Sequence, residues 1–173
     1  MTLRNRLLYA ITARLPARLI KIDDRPYLER YYVGELAGVT FYLHRFVSGD
    51  SERHLHNHPW WRSGSLILAG SYLEERVVDL CPHASESGCI IESSRVRWFN
   101  VIAGNLFHRI SDAAPGTWSL FFHGERAYVL DQPKGWGFLA GEDGLTVFRP
   151  MPPSTPYWWR TAPLGRDVGR VAL

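Results

Sequence analysis

The stretch His54-Leu55-His56-Asn57-His58-Pro59-Trp60-Trp61 decides how this chain is read. Alternate residues of an extended strand point to the same face, so His54, His56 and His58 project together if the segment is a strand. The whole chain has 7 histidines, and three of them fall in five positions at strand parity. Imidazole binds Fe, Cu, Zn and Ni well, and a site with fewer than four protein ligands leaves positions for water, dioxygen or substrate. The competing reading is an exposed histidine cluster at a strand end that holds no metal.

Outward from this cluster, residues 25–148 read as an all-β region. Short runs rich in β-branched and aromatic residues end in Gly, Pro, Asp, Asn or Ser: 31–35, 39–47, 64–68, 72–79, 96–102, 107–111, 117–123, 127–130 and 136–139. That spacing predicts about eight or nine strands in an antiparallel sandwich or barrel. Residues 80–94 read as a long hairpin excursion. Residues 149–173 contain Pro150, Pro152, Pro153, Pro156 and Pro163, which predicts an extended C-terminal segment anchored by Tyr157, Trp158 and Trp159.

The first 22 residues differ in character. Leu3, Leu7, Leu8, Ile11, Leu15, Leu19 and Ile20 recur at helical spacing, which predicts an amphipathic helix packed on the domain, ended or kinked at Leu15-Pro16. This segment carries Arg4, Arg6, Arg14, Arg18 and Lys21 without an acid. Of the net +3, it therefore accounts for more than the total, and the remaining body is slightly acidic. A nucleic-acid-binding body needs a concentrated Lys/Arg surface, so nucleic acid is not an expected partner. A membrane-surface helix or a targeting segment is the alternative for the N-terminus.

At 173 residues, with 46% hydrophobic and 21% charged, the chain is the size of one domain that forms a core without disulfides or a structural metal. Its two cysteines, Cys81 and Cys89, exclude a disulfide-rich scaffold, and a reducing cytoplasm is the expected location. A zinc site from Cys81, His83 and Cys89 is a minor alternative. No apolar run is long enough to span a bilayer as a helix.

The histidine cluster resembles the first motif of the cupin superfamily. Gly49 precedes it, His56-x-His58 supplies its histidine pair and Gly70 closes it, while Ser63 stands where that motif carries a glutamate. Gly104-Asn105-Leu106-Phe107-His108-Arg109 is similar to the second motif. His58-Pro59-Trp60, Gly70-Ser71-Tyr72-Leu73-Glu74 and His108-Arg109 also resemble a group of small bacterial and phage cupin-like proteins. The resemblance covers roughly residues 38–140. It implies a double-stranded β-helix, or jelly-roll barrel, preceded here by the N-terminal α-helix. It also implies a divalent metal held by His56, His58 and His108, with His54 as an additional ligand or supporting group.

A ligand set without a carboxylate is neutral, so a bound ion keeps its charge for an anionic substrate and dioxygen. This favours a mononuclear Fe(II) dioxygenase acting on a small polar molecule, with Zn, Mn, Ni or Cu as alternative metals. Glu74 shares a strand face with Tyr72, and the pair is expected to assist proton transfer, with a metal ligand or an amine-binding group as the other roles for Glu74 and with Glu75 as the alternative carboxylate. Arg45 and Arg109 are candidate anion clamps, and Trp60 and His123 candidate pocket residues. A sugar-phosphate isomerase or epimerase and a non-catalytic ligand-binding module are the other function classes. Edge strands and the aromatic tail suggest a homodimer.

Overall fold

In the computed structural model, residues 2–22, 24–48, 54–80, 89–142, 145–151 and 155–172 are described. Cys81, His83 and Gly49 lie outside them, as does the side chain of Cys89. The chain opens with helix α1 (Leu3–Thr12), where the Thr2 hydroxyl caps the first turn by accepting from the Asn5 amide at 3.3 Å. Then come β1 (Ala17–Ile22), β2 (Arg25–Leu36), β3 (Val39–Phe46), β4 (His56–Asn57), β5 (Arg62–Ala69), β6 (Tyr72–Leu80) and β7 (Cys89–Val96). They are followed by β8 (Phe99–Ala103), β9 (His108–Ala113), β10 (Thr117–His123), β11 (Tyr128–Val129), β12 (Gln132–Pro133), β13 (Gly137–Glu142) and β14 (Leu145–Pro150).

One six-stranded sheet has the order β1-β2-β3-β10-β5-β8 and the other β14-β13-β4-β9-β6-β7, with every recorded pairing antiparallel. From β3 to β10 the chain passes between the sheets so that β3-β10-β5-β8 faces β4-β9-β6-β7. That interleaving is the double Greek key of a jelly roll. The fold class expected from the sequence is the one observed.

Among the boundaries that differ from the sequence reading, three shape the fold most. The helix stops at Thr12, and Leu19 and Ile20 belong to strand β1, because Pro16 cannot continue the helix and the chain beyond it is free to pair with β2. Residues 96–102 are not one strand: the chain leaves β7 at Val96 and enters the opposite sheet at Phe99. The tail is extended only in part, since Trp158–Arg160 and Gly165–Asp167 form short 3-10 turns. Between β5 and β6 the turn needs Gly70, whose φ is +75° and whose Cβ, if present, would collide with Thr117.

Around β3 the first sheet buries both faces, and this partition positions everything else. On β3, Tyr42, His44 and Phe46 point into the barrel, where Phe46 packs with Tyr27, Ile67 and Tyr72. Leu43 on the same strand packs on the opposite face with Tyr31, Trp118 and Ala17, under Leu8 and Tyr9 of α1. Leu3, Leu7 and Ile11, one turn apart along α1, are exposed instead. Trp158 and Trp159 of the tail close one end of the barrel against Tyr42, Trp60 and Phe121.

Candidate metal centre

Strand β4 is only two residues long, held between β9 and β13, with His56 opposite both His108 and Phe138. This pairing brings together histidines 52 positions apart in sequence. One ring nitrogen from each of His56, His58 and His108 can be chosen so that all three lie within 4.8 Å of one another, and all three residues are buried. His54 does not join them: it precedes β4, is exposed and stacks on Phe138 at 5.3 Å. His56 on β4 and His58 just after it are buried, whereas His54, two residues before the strand, is exposed.

The ring nitrogens are oriented by groups behind them. His108 Nδ1 lies 2.7 Å from Glu74 Oε1, and an ionised carboxylate only accepts, so Nδ1 carries a proton and the neutral ring presents its lone pair at Nε2. His58 Nδ1 lies 2.9 Å from the Ser63 hydroxyl. A hydroxyl both donates and accepts, so Ser63 supports either tautomer of His58. His58 Nε2 and His108 Nε2 are 2.9 Å apart. Two ligand nitrogens about 2.1 Å from one ion at a right angle stand roughly 3 Å apart, so this spacing matches that of neighbouring ligands. A carboxylate behind a ligating imidazole is the arrangement that fixes its tautomer and raises its basicity in metal sites. The donor set fits a first-row divalent ion.

Glu74 is fully buried on β6. Burial alone would raise its pKa, but hydrogen bonding and charge from His108, with help from Asn100 and Arg76, hold it below the usual carboxylate value. Its Oε1 accepts from Asn100 Nδ2 at 3.0 Å as well as from His108, and its Oε2 accepts from Arg76 Nε at 2.8 Å. Both Glu74 oxygens are thus engaged behind His108. Arg76, two residues on and opposite His108 in the β6–β9 register, also bonds Asn100 Oδ1. Tyr72 faces inward as expected: its hydroxyl meets Ser65 Oγ at 2.9 Å and accepts from Asn100 Nδ2 at 3.0 Å. Desolvation pushes the Tyr72 phenol up to about 12, so it is protonated at neutral pH.

A cavity of about 50 Å³ opens beside the three rings, lined by Tyr72, Ser65, His44, Phe121 and Trp136 among others. Arg30 stands at its edge, where its Nε donates to His44 Nε2 at 2.9 Å.

The two candidate arginine clamps are elsewhere. Arg45 projects from β3 away from the barrel interior and pairs with Glu29 at 3.0 Å, its other donors reaching the Val171 and Ala172 carbonyls. Arg109 follows His108, so alternation turns it outward, where it pairs with Glu75 at 2.6 Å. Trp60 and His123 stack on each other at 3.8 Å, and Trp60 meets the edge of His58 at 5.6 Å. Both line a second cavity next to the first. Burial, more than any other cause, lowers the His123 pKa to about 4. Asn100, Ser65 and Arg76 escaped the sequence reading. The parity that singled out Tyr72 and Glu74 extends to Arg76, whereas Asn100 carries no local signal because only cross-barrel packing brings it to Glu74.

No family model matches the chain, and no curated protein matches it. Among solved structures, it is similar to Streptomyces albus HEPD with 2-hydroxyethylphosphonate and Fe(II) bound, at 10% identity and a TM-score of 0.49 over 68% of this chain and 25% of that one. It is similar to a variant of Bacillus subtilis oxalate decarboxylase at 19% identity and a TM-score of 0.47, over 70% of this chain and 30% of that one. The values for Fe(II)-HppE with (S)-1-HPP are 9% identity and a TM-score of 0.45, over 64% and 56%. The chain thus spans about a quarter to a little over half the length of these proteins.

Proposed function

Taking the chain as a cupin-type jelly roll, we propose that it is a mononuclear non-haem iron enzyme that uses dioxygen against a small polar organic substrate. The observation that supports this reading is the convergence of His56, His58 and His108 with a carboxylate placed behind one ring instead of among them. In this reading those three residues hold Fe(II), with Zn, Mn, Ni or Cu as alternatives for the same donors. When bound, the ion supplies Lewis acidity and a redox centre with positions open to substrate and dioxygen.

The chain's own groups do the rest. Glu74 acts as a positioning residue, keeping the His108 proton on Nδ1 so that Nε2 faces the site. Tyr72 holds a proton at its phenolic oxygen, and its contacts with Ser65 and Asn100 fix the direction in which that proton is offered. Phe121 and Trp136 exclude water, and the cavity of about 50 Å³ restricts the reacting end of the substrate to a few non-hydrogen atoms. A second reading, a sugar-type isomerase with Tyr72 as the acid, is favoured by the same neutral phenol. A cytoplasmic homodimer belongs to the proposal as well.

The test is oxygen uptake by protein reconstituted anaerobically with Fe(II), presented with small hydroxy, amino and thiol acids. The proposal expects uptake above the substrate-free rate for at least one compound class, lost in His56→Ala. Rearrangement of a sugar phosphate without oxygen consumption would replace it by the second reading.

A further inference from the structure

Beyond the histidine pocket lies a cavity of about 170 Å³ whose walls combine arginine and aromatic rings. Arg18, Arg30 and Arg126 line it, together with Trp60, His123 and Trp158, and no carboxylate among the described residues does. Arg18 and Arg126 therefore bring positive charge to this cavity without a carboxylate partner among the described residues.

The arginines are held in place. The Arg18 guanidinium carbon sits 4.2 Å from the Trp158 ring centroid, its Nε is buried without a hydrogen-bond partner, and desolvation lowers its pKa. Arg126 Nη1 donates to the Lys134 carbonyl at 2.8 Å, and Arg30 lies over Tyr42 at 5.6 Å while bonded to His44. A desolvated guanidinium that lacks an acceptor is costly until an anion supplies one. Planar forks suit carboxylate and phosphate oxygens, which accept paired N–H donors. An apolar cavity of roughly 150 Å³ takes a benzene-sized molecule, so this volume suits a ring-sized body.

We propose that the cavity walled by Arg18, Arg126, Trp60 and Trp158 is a binding site for a small organic oxyanion, a ring-sized molecule bearing a carboxylate or phosphate. The acid group meets the guanidinium forks and the ring lies among the indoles. Arg30 and Trp136 line both cavities, so a ligand here abuts the histidine pocket without entering it. The site does not depend on a metal at the histidines.

The test is equilibrium titration of the full chain, followed by tryptophan emission and by calorimetry, with benzoate, phenyl phosphate and the uncharged benzamide as probes. At least one anion is expected to bind saturably and the amide more weakly by about tenfold or more, the scale of a charge-assisted hydrogen bond. Arg18→Gln is expected to weaken that anion by a similar factor, Arg18→Lys to recover part of it and Arg126→Gln to weaken it independently. The preference between benzoate and phenyl phosphate identifies the acid group. Binding that survives in His56→Ala separates this site from the histidine pocket, even if the oxygenase reading fails. Equal binding of amide and anions, absence of binding by both anions, or unchanged affinity in folded Arg18→Gln and Arg126→Gln would overturn the proposal.

Discussion

Two glutamates in this barrel, Glu29 and Glu74, are both completely buried, and their surroundings give them different work. Glu29 sits on the outer face of the first sheet, under the C-terminal tail. It accepts from Arg45, from the Tyr31 hydroxyl at 2.6 Å and from the Val171 amide at 2.8 Å. All of these partners belong to the scaffold, and together they clamp the tail to the sheet. Glu74 faces into the barrel and spends one oxygen on a histidine whose other nitrogen looks into a cavity. A buried carboxylate is thus a structural clamp or a support for a reactive group according to what lies on the far side of its partner.

The sharpest difference concerns what is left behind when the carboxylate loses its charge. The Arg45 side chain is 5% exposed and the Arg76 side chain 31%. Glu29→Gln is therefore expected to be the most damaging change, since it strands a buried guanidinium. A loss of about 3–5 kcal/mol in urea unfolding is the expected scale. Glu74→Gln leaves Arg76 able to reach water, so its stability cost is expected to be smaller. Its main effect is a drop of roughly 10–100-fold in affinity for Fe(II) or Zn(II), measured by competition with a chelator. If Glu74→Gln were the more destabilising of the two and left metal affinity unchanged, the contrast would fail.

Smaller effects sharpen the same contrast. Ser63→Ala removes the partner of His58 Nδ1 and is expected to cost about 1 kcal/mol, appearing as weaker metal binding more than as lost stability. Unchanged metal affinity in folded Ser63→Ala would show that Ser63 does not orient His58. The last expected effect appears only below neutral pH. His123 has its pKa lowered to about 4 from 6.5, so the unfolded chain takes up a proton that the folded chain resists. Its share of stability is complete above pH 6.5 and lost as the pH falls towards 4. His123→Gln should flatten the unfolding free energy across that window, and an unchanged slope would contradict the assignment.

Much of the fold was legible because it rests on local signals. Period-2 runs with turn residues between them located most barrel strands, and Pro16 marked the end of α1 even where the helical spacing of Leu19 and Ile20 pointed the other way. The run 127–130 contains β11, but the short strand β12 and the change of sheet between Val96 and Phe99 have no such signal; pairing partners set them. At the site, parity correctly turned Tyr72, Glu74, His56 and His58 inward, and the motif resemblance singled out His108. Parity also contained the answer for Arg45 and Arg109. Arg45 lies out of phase with His44, and Arg109 out of phase with His108, so both leave the interior and find carboxylates there. Glu29 and Asn100 were not legible, because their roles come from contacts 16 and 26 residues away along the chain.

The central claim is that three imidazoles drawn from β4, its flank and β9 hold one divalent ion. Elemental analysis of protein purified without added metal, alongside His56→Ala, His58→Ala and His108→Ala, tests it most directly. The account predicts close to one equivalent of a first-row transition ion per folded wild-type chain and its loss from each folded variant, with His54→Ala unchanged. Metal absent from the wild type even after reconstitution, or retained in full when His108 is removed, would contradict it.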